Sequence, residues 1–198
     1  MKWDWSDSVT PGEALQLLEQ SGAMLHGHFR LTSGRHSDVY VQKARVLERP
    51  DATLELAREI ASWYPRIDVV VAPAVGAIAL GFAVAVEAKA RSIFAEREEG
   101  HMRLRRGFRI DPGERVLVVE DVITTGGSAR EVFGLVEEAG ATALGVAALI
   151  DRSTGPLDFP LRAVLRIEAS TWEAEACPLC ERGMPIESPG SRYVSGTA

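Results

Sequence analysis

The densest chemistry in the chain lies in the run Val116-Leu117-Val118-Val119-Glu120-Asp121-Val122-Ile123-Thr124-Thr125-Gly126-Gly127-Ser128. Four apolar, mostly β-branched residues read as a buried strand of a parallel sheet, closed by two adjacent carboxylates. A Thr/Gly turn follows, and Ser128-Ala129-Arg130-Glu131 opens a helix. Backbone amides from Thr124 to Ser128 can converge on an anion, reinforced by the helix dipole. Gly126 and Gly127 permit close backbone approach to a ligand. The hydroxyls of Thr124, Thr125 and Ser128 add donors. No Gly-Lys-Ser/Thr is present, which excludes a nucleoside-triphosphate P-loop, and no Gly-x-Gly-x-x-Gly follows the strand. Two acids beside a monophosphate cradle suit a polyhydroxylated sugar phosphate. They can accept hydrogen bonds from ribose hydroxyls or face a ligand-borne Mg²⁺. The bland alternative is an ordinary strand-to-helix turn with Ser128 as N-cap.

Two other strand ends invite comparison, because ligands of open α/β sheets collect at the strand C-termini. After Val71 the chain reads Ala72-Pro73-Ala74-Val75-Gly76-Ala77-Ile78, small residues at a helix start and hence a second anion site. These residues also fit a helix that simply packs closely on its sheet. The last strand end carries Asp151-Arg152, where an arginine can grip a carboxylate or carbonyl pair bidentately, or form a surface ion pair.

The elements that must position these groups alternate. Helices are expected over 11–21, 50–64, 76–90 and 128–139, and strands over 67–72, 92–95, 115–119, 143–150 and 163–167. Thr10 and Pro11 mark the first helix start, and two short strands around Ser33-Gly34 fill 28–41. The nearly all-apolar helix 76–90 belongs centrally or at a subunit interface. The segment 96–113 reads as a polar hairpin or loop. The expected class is α/β, a central mostly parallel sheet flanked by helices.

Composition agrees. The chain has 198 residues, 46% hydrophobic, enough for one α/β domain, and its net charge of −6 argues against general nucleic-acid binding. No apolar run has transmembrane length, and Met1-Lys2-Trp3-Asp4-Trp5 lacks a signal-peptide core, so a cytoplasmic location is expected. Trp3, Trp5 and Trp172 read as packing residues.

The acidic pair followed by Thr-Thr-Gly-Gly-Ser resembles the phosphoribosyl-pyrophosphate (PRPP) motif of type I phosphoribosyltransferases. Within Leu25–Val41, the pattern Gly-x-Phe-x-Leu-Thr-Ser-Gly-Arg-x-Ser resembles orotate phosphoribosyltransferase, where it forms a hood over the base. The closing segment Glu175–Ile186 resembles the tail of the Thermus-type subgroup, and the resemblance runs from about Leu15 to about Ser191.

The resemblance implies one phosphoribosyltransferase domain over 1–198, with a hood from about 1–45 plus the C-terminal segment and a PRPP-binding core at about 50–168. It implies transfer of phosphoribose from PRPP to orotate, with PRPP bringing Mg²⁺ and no metal held by the protein alone. Glu120, Asp121, Val122, Ile123, Thr124, Thr125, Gly126, Gly127 and Ser128 would hold the ribose 5-phosphate portion, Glu120 and Asp121 contacting the ribose hydroxyls. Val75, Gly76 and Ala77 would line the pyrophosphate site. Thr124 and Arg152 would contact orotate, and Ser33, Gly34 and Arg35 would complete the hood, with Tyr40 and Val41 nearby.

Several positions depart from the family pattern. Thr32 stands where a lysine is frequent, Val75-Gly76 where Tyr-Lys is frequent, and the mobile-loop segment carries arginines in place of lysines. Lys43 is a candidate replacement cation. Arg97 is assigned to PRPP, and His101, Arg103 and Arg105, which share a face if their segment is a strand, to the developing pyrophosphate charge. A solvated, salt-bridged hairpin with Glu96, Glu98 and Glu99 is the alternative. That loop reaches a neighbouring subunit in the family, which implies a homodimer. A transferase for another base and a catalytically weak PRPP-binding regulator are the competing functions. Cys177 and Cys180 form a single Cys-Pro-x-Cys with no histidine at paired spacing, which reads as a free dithiol or local turn.

Overall fold

The computed structural model describes residues 10–31, 33–168 and 170–189. Trp3, Trp5, Thr32, Gly190 and Ser191 lie outside the described residues. In chain order the elements are α1 (Pro11–Gln20), β1 (Met24–Arg30), β2 (His36–Val41), α2 (Ala44–Leu47), α3 (Pro50–Ser62), β3 (Val69–Pro73), α4 (Ile78–Ala88), β4 (Arg91–Glu98), β5 (His101–Leu104), β6 (Arg115–Ile123), α5 (Gly127–Glu138), β7 (Thr142–Asp151), β8 (Leu161–Arg166), β9 (Thr171–Trp172) and α6 (Pro178–Glu181). A capping box starts α1. The Thr10 amide and hydroxyl donate to the Glu13 carboxylate at 2.8 and 2.7 Å, and the Glu13 amide donates back to Thr10 Oγ1 at 3.3 Å.

Two compact units are present. Among the described residues, one holds Leu47–Ile167 with 10–15, and the other holds Gln16–Val46 with the described part of the chain between Glu168 and Pro189. The first is built on a six-stranded sheet in the order β5-β4-β3-β6-β7-β8. Neighbours from β4 to β8 pair in parallel, and only β5 runs antiparallel, at the edge. Every residue of β3 is buried, as expected for a central parallel strand covered on both faces. Each fully buried Val, Leu or Ile of this core contributes about 1.5–3 kcal/mol. The helix α4 lies close to β3 because Gly81 has no side chain; a Cβ there would sit 2.8 Å from Ala72 Cβ.

Several boundaries differ from expectation. The strand read as 115–119 extends to Ile123, so Glu120 and Asp121 lie within β6 rather than closing it. Pairing with β7 continues through Val122↔Ile150 and Ile123↔Asp151, and this ladder outweighs the local preference of a charged pair for a strand end. The helix expected over 76–90 is α4, Ile78–Ala88, and the strand expected over 92–95 lengthens to Arg91–Glu98.

The second unit carries a three-stranded antiparallel sheet in the order β1-β2-β9. The two strands expected around Ser33-Gly34 are β1 and β2, joined through a tight turn in which the Leu31 amide donates to Arg35 O at 2.8 Å and the Gly34 amide to Leu31 O at 2.9 Å. Gly34 has φ +85°, a left-handed conformation that glycine adopts without strain. No helix among the described residues is long and apolar enough to cross a membrane.

Candidate functional site

Parallel pairing aligns the C-terminal ends of β4, β3, β6 and β7 along one edge of the central sheet. The segments that follow these strands are the β4–β5 hairpin, residues 74–77, residues 124–127 and Arg152. The fold therefore brings the expected sites of the first unit to one edge, in the order set by the strands.

The cradle begins inside β6. Asp121 is 2% exposed, whereas Glu120 is half-buried. Asp121 Oδ1 accepts the Val122 amide at 2.6 Å, and Glu120 Oε1 accepts the Asp121 amide at 3.1 Å. Thr124 and Thr125 are exposed at the strand exit. Gly126 is the N-cap of α5 with φ +75°. A Cβ on Gly126 would lie 3.0 Å from both Leu157 and Phe159, so this position requires glycine twice over, for dihedral and for space. No side chain caps α5. Its first amides follow an exposed Thr-Thr pair, the arrangement that favours a bound anion.

Beyond β3, Val75 is 81% exposed and Gly76 is exposed, whereas Ala77 is buried as the N-cap of α4. The Ala74–Val75 peptide is cis. Arg152 directly follows β7, and its amide donates to Ile123 O at 2.8 Å, which fixes it beside the 124–127 turn. Its neighbour Asp151 accepts the Ser153 amide at 2.8 Å and pairs with Arg166 at 3.3 Å.

The hairpin closes through Glu99 and Gly100, both at positive φ. In β5, His101 and Arg103 share the exposed face while Met102 points inward. Arg105 lies outside the strand, so the expected common face of three residues holds for two of them. The turn at Arg106 and Gly107, at φ +58° and +76°, takes the chain out of register. Arg103 and Arg105 both approach Glu98, at 3.8 and 3.3 Å, and Arg106 forks onto Glu96 at 2.8 and 2.9 Å. Arg97 donates to Glu131 of α5 at 2.8 Å, and Glu131 also accepts the Met102 amide at 2.8 Å. The hairpin is thus a salt-bridged structure.

The hydrogen bond from Arg97, together with the Met102 amide, holds the Glu131 carboxyl below the usual glutamate range. A depressed folded-state value means that this contribution is complete above the unfolded-state value and is lost as pH falls through the folded one. The hydrogen-exchange protection factor of the Met102 amide is therefore expected to fall on acidification below the ordinary glutamate range, ahead of the β3 amides. A constant ratio between Met102 and β3 protection would contradict this.

In the second unit, Ser33 and Gly34 are exposed on the β1–β2 turn. Arg35 is engaged within its own sheet. It donates to Thr171 O at 2.9 Å and Thr171 Oγ1 at 3.3 Å, and it pairs with Glu173. Sequence spacing separates Cys177 and Cys180 from every histidine, yet the fold gathers both with His28 and His36. The two histidines flank one hairpin turn, but the cysteines enter from 144–152 residues away, a distance no local spacing reveals. Burial and then the Cys177 side chain push the Cys180 thiol up.

Residues 47–175 match the model of the phosphoribosyl transferase domain family. The orotate phosphoribosyltransferase of Pelotomaculum thermopropionicum is 50% identical over 190 residues, covering 94% of this chain and 100% of that protein. Among solved structures, the orotate phosphoribosyltransferase of Aeropyrum pernix superposes with a TM-score of 0.67 at 28% identity, over 77% of this chain and 93% of that one. The Mycobacterium tuberculosis orotate phosphoribosyltransferase, solved with inorganic phosphate, gives a TM-score of 0.62 at 27% identity over 79% and 95% of the two chains.

Proposed function

Because the chain belongs to the orotate phosphoribosyltransferase family, we infer that it transfers the 5-phosphoribosyl group of PRPP to orotate, giving orotidine 5′-phosphate and pyrophosphate in pyrimidine nucleotide synthesis. The observation that carries this is the acidic pair inside β6, followed by a turn that only glycine fits and an uncapped helix start.

The reaction needs position and charge rather than a covalent nucleophile. Orotate N1 attacks the anomeric carbon as its bond to pyrophosphate loosens. Amides and hydroxyls of 124–128 take the 5-phosphate, and Glu120 and Asp121 take the ribose hydroxyls. Residues 75–77 take the pyrophosphate, and Arg97 reaches PRPP once it leaves Glu131. Thr124 and Arg152 receive orotate. Mg²⁺ enters as part of the PRPP substrate, bound chiefly by the substrate's own oxygens.

Arg103 and Arg105 are the candidates for the leaving-group charge, with His101 beside them. Their side chains are 55% and 51% exposed and share one carboxylate. Exposed pairs of this kind contribute only about 0–1 kcal/mol, so a polyanion displaces them readily. Closure of the hairpin would also keep water from an oxocarbenium-like centre.

A homodimer completes the reading. The helix α4 presents Phe82 at 61% and Val86 at 50% exposure, one turn apart on a stripe that starts at Ile78. Phe94 and Phe108 extend the same apolar hollow. A patch of this kind favours self-association through a two-fold axis. Phe82→Glu is expected to shift the sedimentation coefficient from dimer to monomer at micromolar concentration; an unchanged dimer would place the interface elsewhere. Release of pyrophosphate that requires both PRPP and orotate, followed in a coupled assay with Mg²⁺, tests the proposed reaction. Its absence at saturating substrates would contradict it.

A further inference from the structure

The second unit holds a cluster that the transfer reaction does not use. His28 Nε2 and His36 Nδ1 lie 3.0 Å apart. Cys177 Sγ is 3.5 Å from His28 Nε2, and Cys180 Sγ is 3.7 Å from that nitrogen and 3.3 Å from His36 Nδ1. All four atoms lie within 4.8 Å of one another. A tetrahedral ion with Zn–N of about 2.0–2.1 Å and Zn–S of about 2.3 Å has ligand edges of about 3.3 Å between nitrogens and about 3.6 Å between nitrogen and sulfur. The His28–His36, Cys177–His28, Cys180–His28 and Cys180–His36 edges match these within about 0.3 Å.

Local structure aims each atom. Residues 26–29 of β1 form a bulge against β2, which explains why His28 and Phe29 are consecutive yet both buried. Across the hairpin the His28 ring meets the His36 ring edge-on, with centroids 4.9 Å apart. Cys177 is the N-cap of α6 and Cys180 lies on its single turn, three residues on, which sets both sulfurs on one side. The turn ends at Gly183, φ +67°, with the Met184 amide donating to Leu179 O at 3.1 Å. This exit delivers Met184 O to within 2.9 Å of His28 Nδ1. A carbonyl only accepts, so Nδ1 carries the proton and Nε2 directs its lone pair into the cluster. An outward hydrogen bond of this kind is the usual support of a metal-bound imidazole.

We propose that His28, His36, Cys177 and Cys180 bind one zinc ion in a closed structural site that ties the Cys-Pro-x-Cys segment to the β1–β2 hairpin. Two thiolates and two imidazoles suit zinc and not the oxygen-seeking Mg²⁺ of the substrate. Four protein ligands leave no open position, so the ion is structural rather than catalytic. Its purpose follows from size. Among the described residues, Leu18, Phe29, Val41, Val46 and Leu179 are the large apolar side chains buried in this unit. So small a core, assembled from two distant pieces of chain, gains most from a cross-link. Exposed Cys180 gives the ion a route in. The site stands at the base of the turn that carries Ser33, Gly34 and Arg35.

The full-length protein, purified without added metal, is expected to contain about one zinc per chain by mass spectrometric metal analysis. Replacement by cobalt(II) is expected to give intense visible d–d bands of a tetrahedral ion and thiolate-to-metal charge transfer in the near ultraviolet. In Cys180→Ser the charge-transfer intensity should fall by about half. Alkylation of the thiols in the wild-type protein should be slow with zinc and fast after chelation, while the exchange protection of β3 and β6 is retained. Less than a tenth of an equivalent of zinc after reconstitution would overturn the proposal. So would a cobalt spectrum without charge transfer, or alkylation rates indifferent to zinc; none of these readings depends on a variant folding.

Discussion

Arg152→Ala is expected to lower kcat/KM for orotate by about 10²–10³-fold, mostly through KM, the effect of removing one partner of a desolvated, hydrogen-bonded charge pair. Arg152 is rooted at the sheet edge by the ladder that pairs Ile123 with Asp151 and by its amide bond to Ile123 O. Asp151 is occupied by Ser153 and Arg166, so its charge is balanced within the strand end. A planar guanidinium in that position matches a planar carboxylate on the base with two parallel hydrogen bonds. Arg152→Lys keeps the charge but loses the fork and should recover only a small part of the activity. Initial rates with orotate varied at saturating PRPP measure this, and an unchanged orotate KM in Arg152→Ala would remove the residue from the base site.

The second large effect is expected at Asp121. Asp121→Asn preserves volume and keeps an acceptor for the Val122 amide, so thermal unfolding should stay near that of the parent protein. What changes is the charge. As the bond to pyrophosphate loosens, positive charge develops on the ribose, and a buried carboxylate hydrogen-bonded to its hydroxyls stabilises that charge in a low dielectric. The expected loss is about 10²-fold in kcat, larger than any loss in PRPP affinity. A variant that keeps more than half of the parent kcat would show that Asp121 is structural.

Legibility followed the range over which each signal acts. The strand-turn-helix order of 116–138 is readable because its parts are contiguous in the chain, and the structure adds why Gly126 must be glycine, through Leu157 and Phe159 some 30 residues on. The hairpin of β1 and β2 was equally local. The end of β6 differs from expectation because the acidic pair resembles a strand exit, whereas pairing with β7 extends the ladder through Ile123. Arg105 fell off the expected face because the positive-φ turn at Arg106 and Gly107 ends β5 at Leu104. The partner of Arg97 was invisible, since Glu131 reaches it only once α5 packs beside the hairpin. The cysteine–histidine cluster was invisible for the same reason on a larger scale, its halves lying at opposite ends of the chain.

Contiguous motifs dictate the shape of the 120–128 segment, and long-range packing decides which charges are satisfied within the chain. The exposed arginines of the hairpin show the latter, paired with Glu96, Glu98 and Glu131 through packing that no contiguous motif encodes.

The most direct measurement is the loss of orotate absorbance on mixing purified protein with PRPP and Mg²⁺, with uracil, adenine and hypoxanthine assayed in parallel for nucleotide product. Rapid turnover of orotate alone is the predicted result. Turnover of one of the other bases, or PRPP binding with no turnover of any base, would contradict the account.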